Sequence, residues 1–328
     1  MKYLSYQERK SIEKMLKGKS KIREIARVLN RSHSTISYEM KFNKNQYVKE
    51  YNADTAHERF LKRQNNKGNK SKLKMNPKLK QFVINQMVLE QWSPEQIAGF
   101  LKIVDINNFV SHETIYQFIY SDEGKQLKLW LHLRHRKIPK RQFHGTRKNR
   151  TTIKFKVPIS ERSKAANNRK ELGHLESDSM IFSKQKNILS VQVERITKKC
   201  VITRLPNKTK EETKYAVEKS IEEFGEANVE SITYDNGTEN ASHYEINEKY
   251  TILSYFCRAY ASWQKGLVEN TNKLIRQYFP LHTNMGNLTD NQIYEIQEKL
   301  NNRPRKSLKY LTPNQAYQIL VQGGRIRA

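Results

Sequence analysis

Thiols are almost missing from this chain: Cys200 and Cys257 are the only cysteines in 328 residues. Two isolated cysteines make no disulfide framework, and they lack the CxxC spacing of a metal site. Long apolar runs are missing too, since none approaches the roughly 20 residues that span a bilayer. The opening MKYLSYQERK has no signal-peptide pattern, and no lipidation signal or basic amphipathic anchor accompanies it. A membrane is therefore not an expected partner. The expectation is a reduced, cytoplasmic protein.

Acid is scarce in the first half. Residues 1–170 carry 39 Lys and Arg against 14 Asp and Glu, a net of +25, whereas residues 171–328 carry 22 and 19, a net of +3. A surplus so placed is the footprint of a polyanion-binding surface, and nucleic acid is the partner it points to. The length leaves room for one large domain plus one or two small ones.

Residues 1–46 read as a small helical domain. Ser5 and Glu8 form a capping box before a helix through Ile12, Met15 and Leu16, which Gly18 ends. Ile22, Ile25, Ala26 and Leu29 make a second stripe, Asn30 and Arg31 turn the chain, and Ser32 caps SHSTISYEMKF. That succession is a helix-turn-helix pattern, whose last helix enters the major groove. Ser32, His33, Ser34, Ser37, Tyr38 and Lys41 are its candidates for base or phosphate contact, while Ile36 and Met40 face the core.

Residues 47–76 read as an amphipathic helix through Ala53, Ala56, Phe60 and Leu61, then a flexible basic linker, NNKGNKSKLK. Residues 77–122 repeat the earlier logic. Pro77 opens a helix, Ser93, Pro94 and Gln96 cap the next, and Ser111 caps SHETIYQFIY. His112, Thr114 and Gln117 are the candidate DNA contacts of this second helix-turn-helix. It is less basic than the first, so protein contact stays open as its alternative use. No histidine or cysteine stands at ligand spacing from His112. Residues 123–164 read as a basic linker, with eight Lys or Arg among the 17 residues of RHRKIPKRQFHGTRKNR.

From residue 165 the pattern is α/β. GHLESDSMIF, NILSVQVERI and CVITRLP read as a three-strand meander, EETKYAVEKSIEEFG as a helix, and VESITYDNG and TILSYFC as further strands. WQKGLVENTNKLIRQYF has helical period, and Thr312, Pro313 and Gln315 cap a final short helix. This order is an RNase H-like plan. Asp178 lies on the first strand, Asp235 closes a later one at the Asn236–Gly237 turn, and Glu269 lies on the helix. Three carboxylates repel unless cations compensate. Hard oxygens without a Cys or His set suit two Mg²⁺ or Mn²⁺ ions, which can clamp the attacking and leaving oxygens of a phosphoryl transfer. Lys273 and Arg276 share the polar helix face with Glu269 and are candidates for phosphate contact. Glu176 shares a strand face with Asp178 and stands second to it as a group that tunes the site.

SHSTISYEM, WSPEQIAGFLK, VSHETIYQFIY, GHLESD, ITYDNGTENA, WQKGLVENTNKLIRQYFP and NNRPRKSL, in this order, resemble the IS-thirty type insertion-sequence transposases. The resemblance covers nearly the whole chain. It implies N-terminal helix-turn-helix DNA binding, a DDE core related to retroviral integrases, and Asp178, Asp235 and Glu269 as the DDE acids. It further implies a nucleoid-associated prokaryotic enzyme that binds double-stranded DNA at terminal inverted repeats, cuts the ends and joins them to target DNA as a homodimer or larger assembly. Leu175 and Ser177 stand where that family usually has Trp and Gly, Arg258 and Ala259 replace an Asp-Pro-like pair, and Asn240 replaces an aromatic. A transposase-derived DNA-binding regulator and a stand-alone nuclease are the competing functions. The three acids oppose the first and the two helix-turn-helix patterns oppose the second. A cysteine-free N-terminal half excludes an integrase-type zinc domain.

Overall fold

The computed structural model describes residues 3–43, 50–65, 71–133, 153–259 and 261–326, so the basic run 134–150 lies outside the described residues. The chain divides into two compact units, Met1–Ser71 and Lys72–Ala328.

In the first unit, α1 (Tyr6–Lys17), α2 (Ile22–Val28) and α3 (His33–Asn43) follow the expected boundaries. The Ser5 amide donates to Glu8 Oε2 at 2.6 Å and the Glu8 amide donates back to Ser5 Oγ at 3.2 Å, the reciprocal cap foreseen. The Thr35 amide donates to Ser32 Oγ at 3.2 Å and so starts α3. The last helix, α4 (Ala53–Asn65), buries Ala53 and Ala56 among Ile12, Ile25 and Ile36. It therefore belongs to this unit and not to a separate linker region over 47–76. Apolar patterning did not foresee the polar centre. Arg9 is 2% exposed, with Nε 2.8 Å from Glu39 Oε1 and Nη1 donating to the Leu4 carbonyl at 2.7 Å. The Tyr51 hydroxyl donates to the same Glu39 oxygen at 3.1 Å.

The second unit opens with a helical module: α5 (Lys72–Met75), α6 (Pro77–Val88), α7 (Pro94–Val104), α8 (His112–Ile119) and α9 (Asp122–Gln126). Leu73 and Leu129 are buried with Val83, Met87, Ile97 and Ile115. Burial of those two leucines carries the module past both expected boundaries, into the linkers assigned to 47–76 and 123–164.

A six-stranded sheet follows, in the order β1-β6-β5-β2-β3-β4. The strands are β1 (Val157–Pro158), β2 (His174–Ile181), β3 (Ile188–Glu194), β4 (Cys200–Leu205), β5 (Ser231–Tyr234) and β6 (Leu253–Phe256). β2, β3 and β4 form the antiparallel meander, and β5, β6 and β1 add in parallel. The helices are α10 (Lys164–Asn167), α11 (Lys210–Phe224), α12 (His243–Tyr250), α13 (Gly266–Tyr278), α14 (Asp290–Asn301) and α15 (Pro313–Val321). This is the RNase H-like plan. β1, α10, α12 and α14 are additions to the expected element order, and β1 draws residues 157–158 out of the linker assigned to 123–164.

Alternation along the strands divides the core. Met180, Phe182, Val191 and Val193 pack under Leu274 and Ile275 of α13, while Leu175, Val201 and Ile232 meet Val217, Ile221 and Phe224 of α11 on the opposite face. The free edge of β4 is closed by side chains rather than by another strand. The Cys200 amide donates to Asn301 Oδ1 at 2.9 Å and the Ile202 amide to Gln297 Oε1 at 2.7 Å, both from α14.

The helical module is docked on the C-terminal part of the core. Gln96 Nε2 donates to the Pro304 carbonyl at 2.6 Å, Lys306 Nζ lies 2.6 Å from Glu95 Oε1, and Lys299 Nζ donates to the Leu89 carbonyl at 3.1 Å. Gly99 makes this approach possible, because a Cβ there would stand 2.0 Å from the Tyr310 ring. The docking runs through α7 and the Leu89 carbonyl and leaves His112 and Gln117 of α8 exposed.

Candidate active site

Strand register builds the centre. β2 and β5 pair in parallel with His174 opposite Ser231 and Glu176 opposite Thr233. Continuing that register by two residues sets Asp178 beside Asp235. Period two then points Glu176, Asp178 and Met180 to one face, where α13 lies across β2.

The start of α13 is anchored from below. Glu176, 1% exposed, accepts the Leu267 and Val268 amides on Oε2, each at 3.0 Å, and Arg195 Nε lies 3.2 Å from its Oε1. A carboxylate on the first free amides of a helix satisfies orphan donors and meets the positive end of the macrodipole. Expected to tune the acidic centre, Glu176 instead positions the helix that carries Glu269. Arg195 Nη1 completes the anchor on the Ala166 carbonyl.

Neutral donors hold one oxygen of each aspartate. Asp178 Oδ2 accepts from Asn272 Nδ2 at 2.7 Å, and Asp235 Oδ1 accepts from Asn240 Nδ2 and the Gly237 amide, both at 2.9 Å. At Gly237 a Cβ would lie 2.3 Å from Glu239 Oε2, so a side chain there would have to push the Glu239 carboxylate aside. The remaining oxygens face one cation. Lys265 Nζ lies 3.0 Å from Asp178 Oδ1 and 3.6 Å from Asp235 Oδ2, and it donates to the Ser177 carbonyl at 2.8 Å. Burial works against ionisation of Asp235. Even so, Lys265, the Gly237 amide and Lys208 together hold its carboxyl below the usual range.

Glu269 is exposed and pairs with Lys273 one turn on, at 2.9 Å. Among the described residues no three His, Cys, Asp or Glu side chains converge. The structure thus brings together two of the three expected acids and sets the third on the same side of α13, between Lys265 and Asn272 at helical spacings of four and three. Two carboxylates offset by one ammonium already carry net negative charge, so the third is better matched by Lys273. The donors nevertheless suit a hard divalent cation. They are carboxylate oxygens with no imidazole or thiolate among them, and Asn272 Oδ1 is buried beside Asp178 without a partner.

Of the other sequence candidates, Ser32, His33, Ser34, Tyr38 and Lys41 are exposed on α3 or at its start, and Ser37 is half-buried. His112 and Gln117 are exposed on α8 and Thr114 is half-buried, its hydroxyl on Ser111. Arg276 Nη2 donates to the Ile181 carbonyl at 2.6 Å and its guanidinium lies 4.3 Å over the Phe182 ring, so it meets the end of β2. Lys265, Asn272 and Asn240 were not singled out as site residues. Asn272 lies three residues after Glu269 on the same helix face, whereas Lys265 precedes the helix and carries no such signal. Asn240 was marked as a family departure, and its amide holds an aspartate.

Residues 1–43 match a family model described as a helix-turn-helix domain. Transposase InsI for insertion sequence element IS30A of Escherichia coli (strain K12) is 34% identical over 323 residues, which cover 95% of this chain and 82% of that protein. The transposase for insertion sequence element IS4351 of Bacteroides fragilis is 33% identical over 322 residues, covering 98% and 97%. Among solved structures, the catalytic core domain of HTLV-2 integrase in complex with magnesium is similar, at 24% identity and a TM-score of 0.36, over 45% of this chain and 97% of that one.

Proposed function

The chain belongs to the IS-thirty (IS30) type of insertion-sequence transposases, and from that premise we propose how its parts divide the work of DNA cleavage and strand transfer. α3 reads the terminal inverted repeats through Ser32, His33, Ser34, Ser37, Tyr38 and Lys41, while basic residues of the first unit neutralise phosphates. His112, Thr114 and Gln117 on α8 add contacts of lower charge. Asp178, Asp235 and Glu269 are the ligands for two Mg²⁺ or Mn²⁺ ions. Such ions, when bound, supply a nucleophilic water at neutral pH and offset charge on the scissile phosphate.

The chain's own residues set that chemistry up. Asn272, Asn240 and the Gly237 amide fix the planes of the two aspartates, and Glu176 fixes the start of α13. Glu269 reaches the centre by a side-chain rotation away from Lys273, whose exposed ammonium then meets a DNA phosphate. Arg276 is assigned chiefly to holding the end of β2. Joining both ends of one element requires at least two copies of the chain on DNA.

The observation that carries this reading is the convergence of Asp178 and Asp235 from adjacent parallel strands onto one ammonium beneath α13. Asp235→Asn should abolish cleavage of a duplex bearing the element's end in Mg²⁺ and leave binding of that duplex within about twofold, well under the tenfold of 1.4 kcal/mol. Cleavage by the variant at the wild-type rate would remove Asp235 from the chemistry.

A further inference from the structure

Lys265 stands at the junction where a short 3₁₀ turn enters α13, and it is only 7% exposed. Withdrawing an ammonium from water is costly unless its three donors meet oxygens. Here they do: the Ser177 carbonyl at 2.8 Å, Asp178 Oδ1 at 3.0 Å and Asp235 Oδ2 at 3.6 Å.

The carboxylate oxygens are divided in a particular way. The oxygens turned away from Lys265 are held by neutral amides, Asn272 on Asp178 and Asn240 with Gly237 on Asp235. The oxygens turned toward Lys265 have no other side-chain donor among the described residues. Nearby cations are engaged elsewhere: Lys208 lies 2.7 Å from Glu239 Oε1, and Lys156 donates to Asn236. The aim of the two carboxylates therefore does not depend on Lys265. Its charge does something else.

We propose that Lys265 is a built-in counter-cation that occupies the oxygens a divalent metal takes, so that metal and ammonium compete for the Asp178–Asp235 pair. The inference rests on those aspartates being metal ligands and adds to that reading a residue that opposes loading. One ammonium leaves the pair with net negative charge, and a divalent ion neutralises it. Metal binding therefore has to move the Lys265 side chain out of the centre. Glu176 keeps the start of α13 in place while it does.

The test uses the full chain and Mn²⁺ or Mg²⁺ alone, followed by calorimetric titration and by thermal unfolding. Lys265→Met keeps the length of the side chain and removes its charge. Without metal its melting temperature should be lower than that of the wild type, because two carboxylates then face each other unscreened. Mn²⁺ should bind it at least about tenfold more tightly than the wild type, and raise its melting temperature more, as removal of a like charge a few ångströms from the ion demands. Lys265→Arg keeps the charge and should bind Mn²⁺ no more tightly than the wild type. Equal or weaker binding by a folded Lys265→Met variant would overturn the proposal. If that variant does not fold, tighter binding by a folded Lys265→Gln supports the proposal, and equal or weaker binding overturns it. A Lys265→Met, Asp235→Asn double variant separates the two readings. If it binds Mn²⁺ as tightly as Lys265→Met, the aspartates are not the ligands, and the error lies in that earlier assignment.

Discussion

The two helical modules stack short, capped helices around buried isoleucines, yet they differ in charge. Residues 1–71 hold 18 Lys and Arg against 7 Asp and Glu, a net of +11, while residues 72–133 hold 7 against 6, a net of +1. Their interiors differ as well. The first encloses the Arg9–Glu39 ion pair among Leu4, Ile12, Ile25 and Ile36, whereas the core of the second is built on larger apolar side chains such as Met87, Trp92 and Leu101. The second is also fastened to the core by Gln96, Glu95 and the Gly99–Tyr310 contact. Similar helix patterns thus carry surfaces of very different charge, the first far better suited to phosphate. What separates them is charge and docking, not helix content.

The largest expected effect falls on the interior of the first module. Glu39→Ala leaves Arg9 buried without its carboxylate and Tyr51 without its acceptor, a loss of about 3–5 kcal/mol. The first unit should lose its thermal transition and its binding to the element's end, with hydrogen exchange in α6–α8 unchanged. A small shift in that transition would show that apolar packing alone holds the unit.

Next comes the docking contact. Gly99→Val places methyl groups where the Tyr310 ring already stands, an overpacking worth about 1–3 kcal/mol. Faster hydrogen exchange in α7 and in residues 303–311, with DNA affinity kept, is the expected result. Unchanged exchange at both places would mean that the module does not depend on this approach.

Acid should act on the first module through Glu8. Its hydrogen bond from Arg31 holds the carboxyl at about 2, below the ordinary 4.5. A lowered carboxyl contributes stability that is complete above the unfolded value and is lost as pH falls from about 4.5 toward 2. The loss should be about 1 kcal/mol after solvent screening, visible in denaturant titrations across that window. Arg31→Ala should flatten the dependence, and an equally steep profile in that variant would assign it to other groups.

The smallest effect tests the surfaces directly. Lys41→Ala should reduce the log–log salt slope of DNA binding by about 0.9, one phosphate contact. Lys102→Ala, an exposed lysine of the second module, should leave the slope unchanged. Equal effects would erase the distinction between the modules.

Local signals carried far in this chain. The Ser5–Glu8, Ser93–Gln96 and Thr312–Gln315 boxes start α1, α7 and α15 as expected, because capping needs only neighbours three residues apart. Thr289 and Gln292 cap α14 in the same way, a local signal of equal quality. Short elements were harder to see. β1 has two residues, and α12 buries only His243 and Ile246, too few for a visible stripe.

The sequence by itself determined the charge split, the helical and strand periods, and the acids on β2, after β5 and on α13, since each depends on residues close together along the chain. Only the tertiary structure decided that Glu176 anchors α13, that Asn240 and Asn272 aim the aspartates, and that Lys265 lies between them. Those contacts arise from the register of β2 against β5 and the placement of α13 across the sheet. They join groups distant in sequence, and no local pattern encodes which oxygen meets which donor.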